Sequence, residues 1–131
     1  KQIERARENV PEATFICVDI KDLDFRDNNF DGVAAFFSII HIPRDEHAAV
    51  IHNIARWLRP GGLVVTTLPL RAGKVGYEKD WMGVPMFWSG FDAEVYTTLV
   101  EEAGLTIVSS TIDEGPDGDN FQWLVARKPL Q

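Results

Sequence analysis

The residues that can do chemistry in this sequence are few. Asp19 closes the apolar run Phe15-Ile16-Cys17-Val18. A carboxylate at the carboxyl end of a buried strand stands where α/β sheets bind ligands. It can accept a ligand hydrogen bond, or it can be a solvated acid that ends a strand. His41 follows a second apolar run and is the histidine at a strand end. As a general base it would need a substrate proton within reach and a pKa near neutrality; a packing residue at a helix start fits the same position. His47 and His52 fall on the next helix, where solvent exposure is expected, and the three histidines show no metal-ligand spacing. Cys17 lies within an apolar run and reads as an inert core thiol. A single cysteine forms no intrachain disulfide and no multi-cysteine zinc site. Tyr77, Trp81, Met82, Met86, Phe87 and Trp88 crowd one irregular stretch. Such rings can enclose an apolar or cationic small molecule, or form a local mini-core under a long loop.

These groups need elements to position them. Ile3, Ala6 and Val10 recur at helical spacing, so Lys1 to Asn9 reads as a short amphipathic helix ended by Pro11. Phe15–Val18 and Gly32–Ile39 read as buried strands, the second apolar enough for a parallel sheet covered on both faces. Lys21 to Asn29 is an acidic loop with Leu23 and Phe25 as anchors. Pro43 opens a helix with Asp45 and Glu46 in its first turn. Ala48, Ile51, Ile54, Ala55 and Leu58 form its inner stripe, and Pro60-Gly61-Gly62 stops it. Leu63–Leu68 is a third strand, and Leu70 to Gly90 is irregular. Asp92 can cap a helix whose inner residues are Val95, Leu99, Val100 and Ala103, with Gly104 at its end. Leu105–Ile112 and Phe121–Arg127 close the chain as two strands with no helix between them, which predicts an antiparallel pair. Strand and helix alternate until then, so the class is α/β and residues 1–131 form a single domain.

Composition limits the function. The chain carries 13 Lys and Arg against 20 Asp and Glu, a net charge of −7. That disfavours a nucleic-acid partner, which needs a basic face, and a polybasic anchor on a membrane. No apolar run approaches the ~20 residues of a membrane span. With no secretory signal pattern, a cytoplasmic location is expected.

With these elements in place, the residues resemble a class I S-adenosylmethionine-dependent methyltransferase of the small-molecule, type 11 kind. Val18-Asp19-Ile20 resembles the family's acidic motif, and Leu23 to Asp31 resembles its "LPF-x-D-x-x-FD" stretch, with Asp24 in place of the usual proline. Phe36-Phe37-Ser38-Ile39-Ile40-His41-Ile42 matches the end of the family's fourth strand. Leu58-Arg59-Pro60-Gly61-Gly62 matches the turn into its fifth, and Phe91 to Gly104 resembles its "F-x-x-E-x-x-x-L-x-x-A-G" helix. Ala126-Arg127-Lys128 is a usual end of the last strand. Each motif is weak alone; six in order are specific.

The resemblance implies a Rossmann-like methyltransferase fold, mostly parallel with an antiparallel last strand. It implies methyl transfer from S-adenosylmethionine to a small-molecule acceptor, by in-line displacement driven by alignment, with no obligatory catalytic side chain and no metal. Asp19 would accept from the adenine amino group and Ile20 would pack on the ring, unless it is core. The backbone of Phe36, Phe37 and Ser38 would cradle the cofactor's methionine part. His41, Tyr77, Trp81 and Trp88 are the candidate acceptor-binding residues. The family's opening strand, Gly-rich loop and second strand have no counterpart here, so the sequence reads as the carboxyl-terminal two-thirds of the family fold, N-terminally incomplete. The alternative is a non-catalytic methyltransferase-like scaffold acting through association.

Three structural expectations follow. The sheet order should be Val33–Ile39, Leu63–Leu68, Phe121–Arg127, Leu105–Ile112. Gly61 or Gly62 should stand at positive φ. The edges of Phe15–Val18 and Val33–Ile39, left without neighbours, should drive self-association or leave the chain poorly ordered before Asn29.

Overall fold

A computed structural model describes residues 1–71, 74–115 and 118–131. Its elements are α1 (Gln2–Asn9), β1 (Phe30–Ala35), α2 (His47–Trp57), β2 (Leu58–Leu70), β3 (Val75–Trp81), β4 (Val84–Ser89), α3 (Ala93–Glu102), β5 (Thr106–Glu114) and β6 (Asn120–Arg127). Single 3-10 turns occupy Ile20–Asp22, Ile39–His41 and Arg44–Glu46.

The main sheet has the order β1-β2-β6-β5, as the family resemblance implies. β1 pairs with β2 in parallel; β6 is antiparallel to both its neighbours. The sheet is thus mixed rather than mostly parallel in its pairings, although β1, β2 and β5 run the same way. Val64, Leu68, Leu124 and Ala126 project from one face into a core completed by Val50, Ile51, Ile54 and Trp57 of α2 and Tyr96 and Val100 of α3. Alternation along β6 explains this: Gln122, Leu124 and Ala126 are buried, while Phe121, Trp123 and Val125 fall on the opposite face.

Several boundaries differ from expectation. Phe15–Val18 is not a strand, and Ile16 and Val18 are 53% and 46% exposed. Apolar runs become strands by pairing, and among the described residues none pairs with this one. Cys17 is exposed with it, correcting its reading as a core thiol. β1 stops at Ala35 rather than Ile39 because Phe37 turns to φ +49° and Ile39–His41 coils. The helix after Pro43 begins as a 3-10 turn, and α2 proper runs from His47 to Trp57. His47 is fully buried, not exposed. On α3 the inner position is Tyr96 rather than Val95, and Asp92 holds the N-cap position without a side-chain cap bond.

Leu58 is already extended, so Arg59-Pro60-Gly61-Gly62 belongs to β2 as a bulge: Phe30 pairs with Leu58, and Gly32 next pairs with Leu63. Gly61 stands at φ +82°. A Cβ on Gly62 would lie 2.9 Å from the Arg59 carbonyl and 3.0 Å from that of Asp31. Both glycines are required here, one for conformation and one for space.

The irregular stretch contains a hairpin. β3 and β4 are antiparallel and joined by Met82-Gly83, both at positive φ, the geometry of a two-residue hairpin turn. The part at Ala72 and Gly73 lies outside the described residues, as does Pro116 of the acidic turn before β6.

Candidate functional site at the carboxyl edge of the sheet

The segment from Asp24 to Asp31 is fastened to the carboxyl end of α2. Asn28 and Asn29 donate their backbone N–H groups to the Arg56 and Trp57 carbonyls at 3.1 and 2.7 Å. Lys128 Nζ donates to the Leu58 carbonyl at 2.7 Å and to Asn28 Oδ1 at 2.9 Å. A cation and two amides thus answer carbonyls a helix end leaves open. Arg56 donates to Asp27 at 2.6 Å and Asp24 at 2.5 Å, and these bonds, that to Asp27 first, hold its proton more firmly than usual. Asp24, the departure from the motif's proline, is therefore an ion-pair partner.

This fastening lays Leu23, Phe25 and Phe30 along the free edge of β1. With Ile20, Gly32, Val33, Ala35, Ser38, Ile54 and Trp57 they line a groove of about 320 Å³. Phe25 meets Phe30 and Trp57 edge-on at 4.9 and 5.1 Å. Two of the sequence candidates, Ile20 and Ser38, thereby face one space. Asp19 caps the turn that begins at Ile20; its Oδ1 accepts from the Lys21 N–H at 3.2 Å, and the side chain is half exposed.

Phe36 and Phe37 diverge from that groove. The Phe37 N–H donates to Thr67 Oγ1 at 2.6 Å. Its ring meets Phe121 at 5.0 Å and Trp123 at 5.9 Å, and Phe36 meets Trp123 at 5.7 Å. Phe36 and Phe37 are about half exposed. Neither Phe121 nor Trp123 stands out in the sequence as more than a strand residue; strand alternation puts them on this face, but only the sheet order brings them to Phe37.

The acceptor candidates divide. His41 Nδ1 lies 3.0 Å from the Phe87 carbonyl, so that nitrogen carries the hydrogen and donates. Trp81 and Trp88 meet edge-on at 6.1 Å. Tyr77 pairs with Phe87 in register, on the other face of the hairpin from Trp88, which pairs with Gly76. The hairpin therefore separates Tyr77 from the two tryptophans, against the expectation of one aromatic enclosure.

The residues present fit part of an S-adenosylmethionine site. The exposed Asp19 carboxylate precedes Ile20, which lines an apolar groove running along the free edge of β1. The Phe37 N–H is taken by Thr67 and the Ser38 carbonyl accepts from the His41 N–H at 3.2 Å. Backbone contacts from this segment would therefore come first through the Phe36 and Phe37 carbonyl oxygens.

Residues 1–62 match the sequence profile of a methyltransferase domain. The chain is 32% identical over 106 residues to the O-methyltransferase rstn1 of Aspergillus nomiae, covering 76% of this chain and 45% of that protein. It is 35% identical over 116 residues to the 27-O-demethylrifamycin SV methyltransferase of Amycolatopsis mediterranei, covering 80% and 42%. The chain spans about half the length of the curated relatives it matches. Its fold is similar to that of 1,6-didemethyltoxoflavin-N1-methyltransferase from Burkholderia thailandensis, solved with 1,6-didemethyltoxoflavin and S-adenosylhomocysteine. The TM-score is 0.72 at 20% identity, covering 96% of this chain and 56% of that one. Among the described residues no helix is long and apolar enough to cross a membrane. From its ordered motifs, its sheet order and these similarities, the chain belongs to the class I S-adenosylmethionine-dependent methyltransferases.

Proposed function

We propose that this chain is the carboxyl-terminal part of an enzyme that moves a methyl group from S-adenosylmethionine to a small-molecule acceptor. The observation that carries the reading is the end of β1, where Ile20 and Ser38 share one groove and Phe37 is turned away by its bond to Thr67. Bound there, S-adenosylmethionine would supply an electrophilic methyl carbon on a sulfonium. Asp19 would accept from the adenine amino group, Ile20 would pack on the ring, and the Phe36 to Ser38 carbonyls would face the ammonium. His41, Trp81 and Trp88 would border the acceptor, with Tyr77 on the outer face. Relatives named for O- and N-methylation support a small acceptor with an oxygen or nitrogen nucleophile. Alignment of that atom with the methyl carbon is the main requirement, since a positioned nucleophile needs little further help.

A Gly-rich loop supplied by upstream sequence would complete the site. Lacking several hydrogen bonds to charged groups, at ~1.5 to 3 kcal/mol each, the 131-residue chain would lose most of a micromolar affinity. The test is calorimetric titration with S-adenosylhomocysteine. Dissociation weaker than about millimolar is expected for this chain, and about micromolar for a form extended upstream. A micromolar value for this chain overturns the division of the site; no binding by the extended form overturns the function and favours a non-catalytic scaffold.

A further inference from the structure

We infer that His47 is a positioning residue for the β3–β4 hairpin: its neutral ring ties the hairpin's last residue to the core, and uptake of a proton releases the hairpin from the site's edge. The inference rests on the reading above that this hairpin borders the acceptor.

The geometry assigns the ring's hydrogen. His47 Nε2 lies 2.8 Å from the Ile42 carbonyl, which only accepts, so Nε2 donates. In a neutral ring Nδ1 is then bare, and it accepts from the Tyr96 hydroxyl at 3.0 Å. The Ser89 hydroxyl donates to the same Ile42 carbonyl at 2.5 Å and lies 3.4 Å from His47 Nε2. His47, Tyr96 and Ser89 are each 0% exposed. One carbonyl is thus the common acceptor for α2's first residue and β4's last. Tyr96 brings α3 into the same chain of bonds.

A proton on Nδ1 turns that acceptor into a donor facing another donor. The Tyr96 hydroxyl can rotate to accept, but its own hydrogen then needs a buried partner, and a charge is left without water. Whatever moves the ring moves the Ile42 carbonyl, and with it the bond to Ser89. The groups facing His47 do not neutralise that charge. Ser89 from β4 is uncharged, and Tyr96 from α3 is kept protonated by burial. The Phe91 ring meets His47 edge-on at 5.8 Å and carries Arg44 over its face. Asp45 and Glu46 on the preceding turn favour the proton, as do the Ile42 and Ile39 carbonyls. Desolvation outweighs them and holds His47 below its ordinary value.

His41 meets the hairpin elsewhere: its Nδ1 donates to the Phe87 carbonyl, two residues before Ser89. The two histidines can therefore be separated by substitution.

Amide hydrogen exchange on the 131-residue chain, corrected for intrinsic rates, reads the latch at about pH 7.5 and about pH 5.5. On acidification, amides from Val75 to Ser89 should lose protection several-fold relative to those of β6. His47→Gln, which can accept and donate but not charge, should abolish that change. Equal protection at both pH values, or a loss in His47→Gln equal to the wild type's, overturns the inference. A loss spread evenly over the hairpin and β6 marks His47 as merely structural and overturns it too. Should His47→Gln not fold, Ser89→Ala decides: a hairpin poorly protected at both pH values with β6 unchanged supports the latch, and wild-type protection and pH response refute it. The readout requires neither cofactor nor methyl transfer, so it stands or falls apart from the proposed function.

Discussion

Phe37 stands at φ +49° with its N–H held 2.6 Å from the buried Thr67 hydroxyl oxygen, a bond that reaches across 30 residues of chain. A bulky residue adopts this conformation at a cost, and the surroundings must over-determine it. Thr67→Val keeps the shape and removes the acceptor. It should destabilise the chain by ~1 to 3 kcal/mol, the cost of an N–H left without its partner, whereas Thr67→Ser should recover most of the loss. Urea denaturation of the three forms checks this, and equal midpoints for Val and Thr would remove Thr67 from the account.

The two glycines of the bulge should differ in how they fail. Gly61→Val places a β-branched side chain at φ +82°, and Gly62→Val places one against two backbone oxygens. Each should cost more than the ~1 kcal/mol of a simple Gly propensity change. Gly61→Asn should be the mildest replacement, because Asn tolerates the left-handed region. Unfolding midpoints unchanged in both Val variants would refute the requirement.

Burial holds His47 neutral below its ordinary value of 6.5. The unfolded chain therefore takes up this proton first as the pH drops, so it binds more protons than the native state in that window. Stability is at its full value above about pH 6.5 and falls as the pH drops towards the native value. Unfolding free energies measured from about pH 7 to about pH 5 should show this slope, and His47→Gln should flatten it. A wild-type stability constant over that window would mean that the buried imidazole is not neutral.

Cys17 belongs to an exposed segment. Its thiol should react stoichiometrically with a thiol reagent without denaturant, at a rate close to that in urea. Protection in the native protein would show that residues 15–18 are covered in solution, as by a second copy.

The sheet order was legible through the family resemblance, which sets the last strand between β2 and β5. Local signals (apolar runs, the Pro-Gly-Gly turn and the short link before Phe121) marked the strands and the antiparallel last pair. Where the outcome depended on partners far along the chain, the sequence was silent. Phe15–Val18 has the composition of a strand, yet a strand exists only with a neighbour. His47 reads as a surface histidine on its own helix; Tyr96 and Ser89, 49 and 42 residues away, make it a buried one. The hairpin's turn, Met82-Gly83, lacks the Asn-Gly or Asp-Gly signal of such turns, and its aromatic residues suggested a cluster instead of two faces. Ile20 and Ser38, which share the groove, were singled out through the family's motifs, whereas Phe121 and Trp123 carry no local mark of their proximity to Phe37.

The last of these strands in chain order lies in the middle of the sheet. β6 is the bridge between β2 and β5, and Leu63 meets Arg127 across 64 residues. On the ribosome, then, β2 must wait until residue 127 has emerged before its second edge is filled. The β5–β6 hairpin, being local, can form first and add as a unit. A premature stop before Asn120 would therefore cut the sheet into separate pieces, exposing two strand edges to aggregation during synthesis. Removal of α1, which contributes nothing buried, would leave the sheet whole.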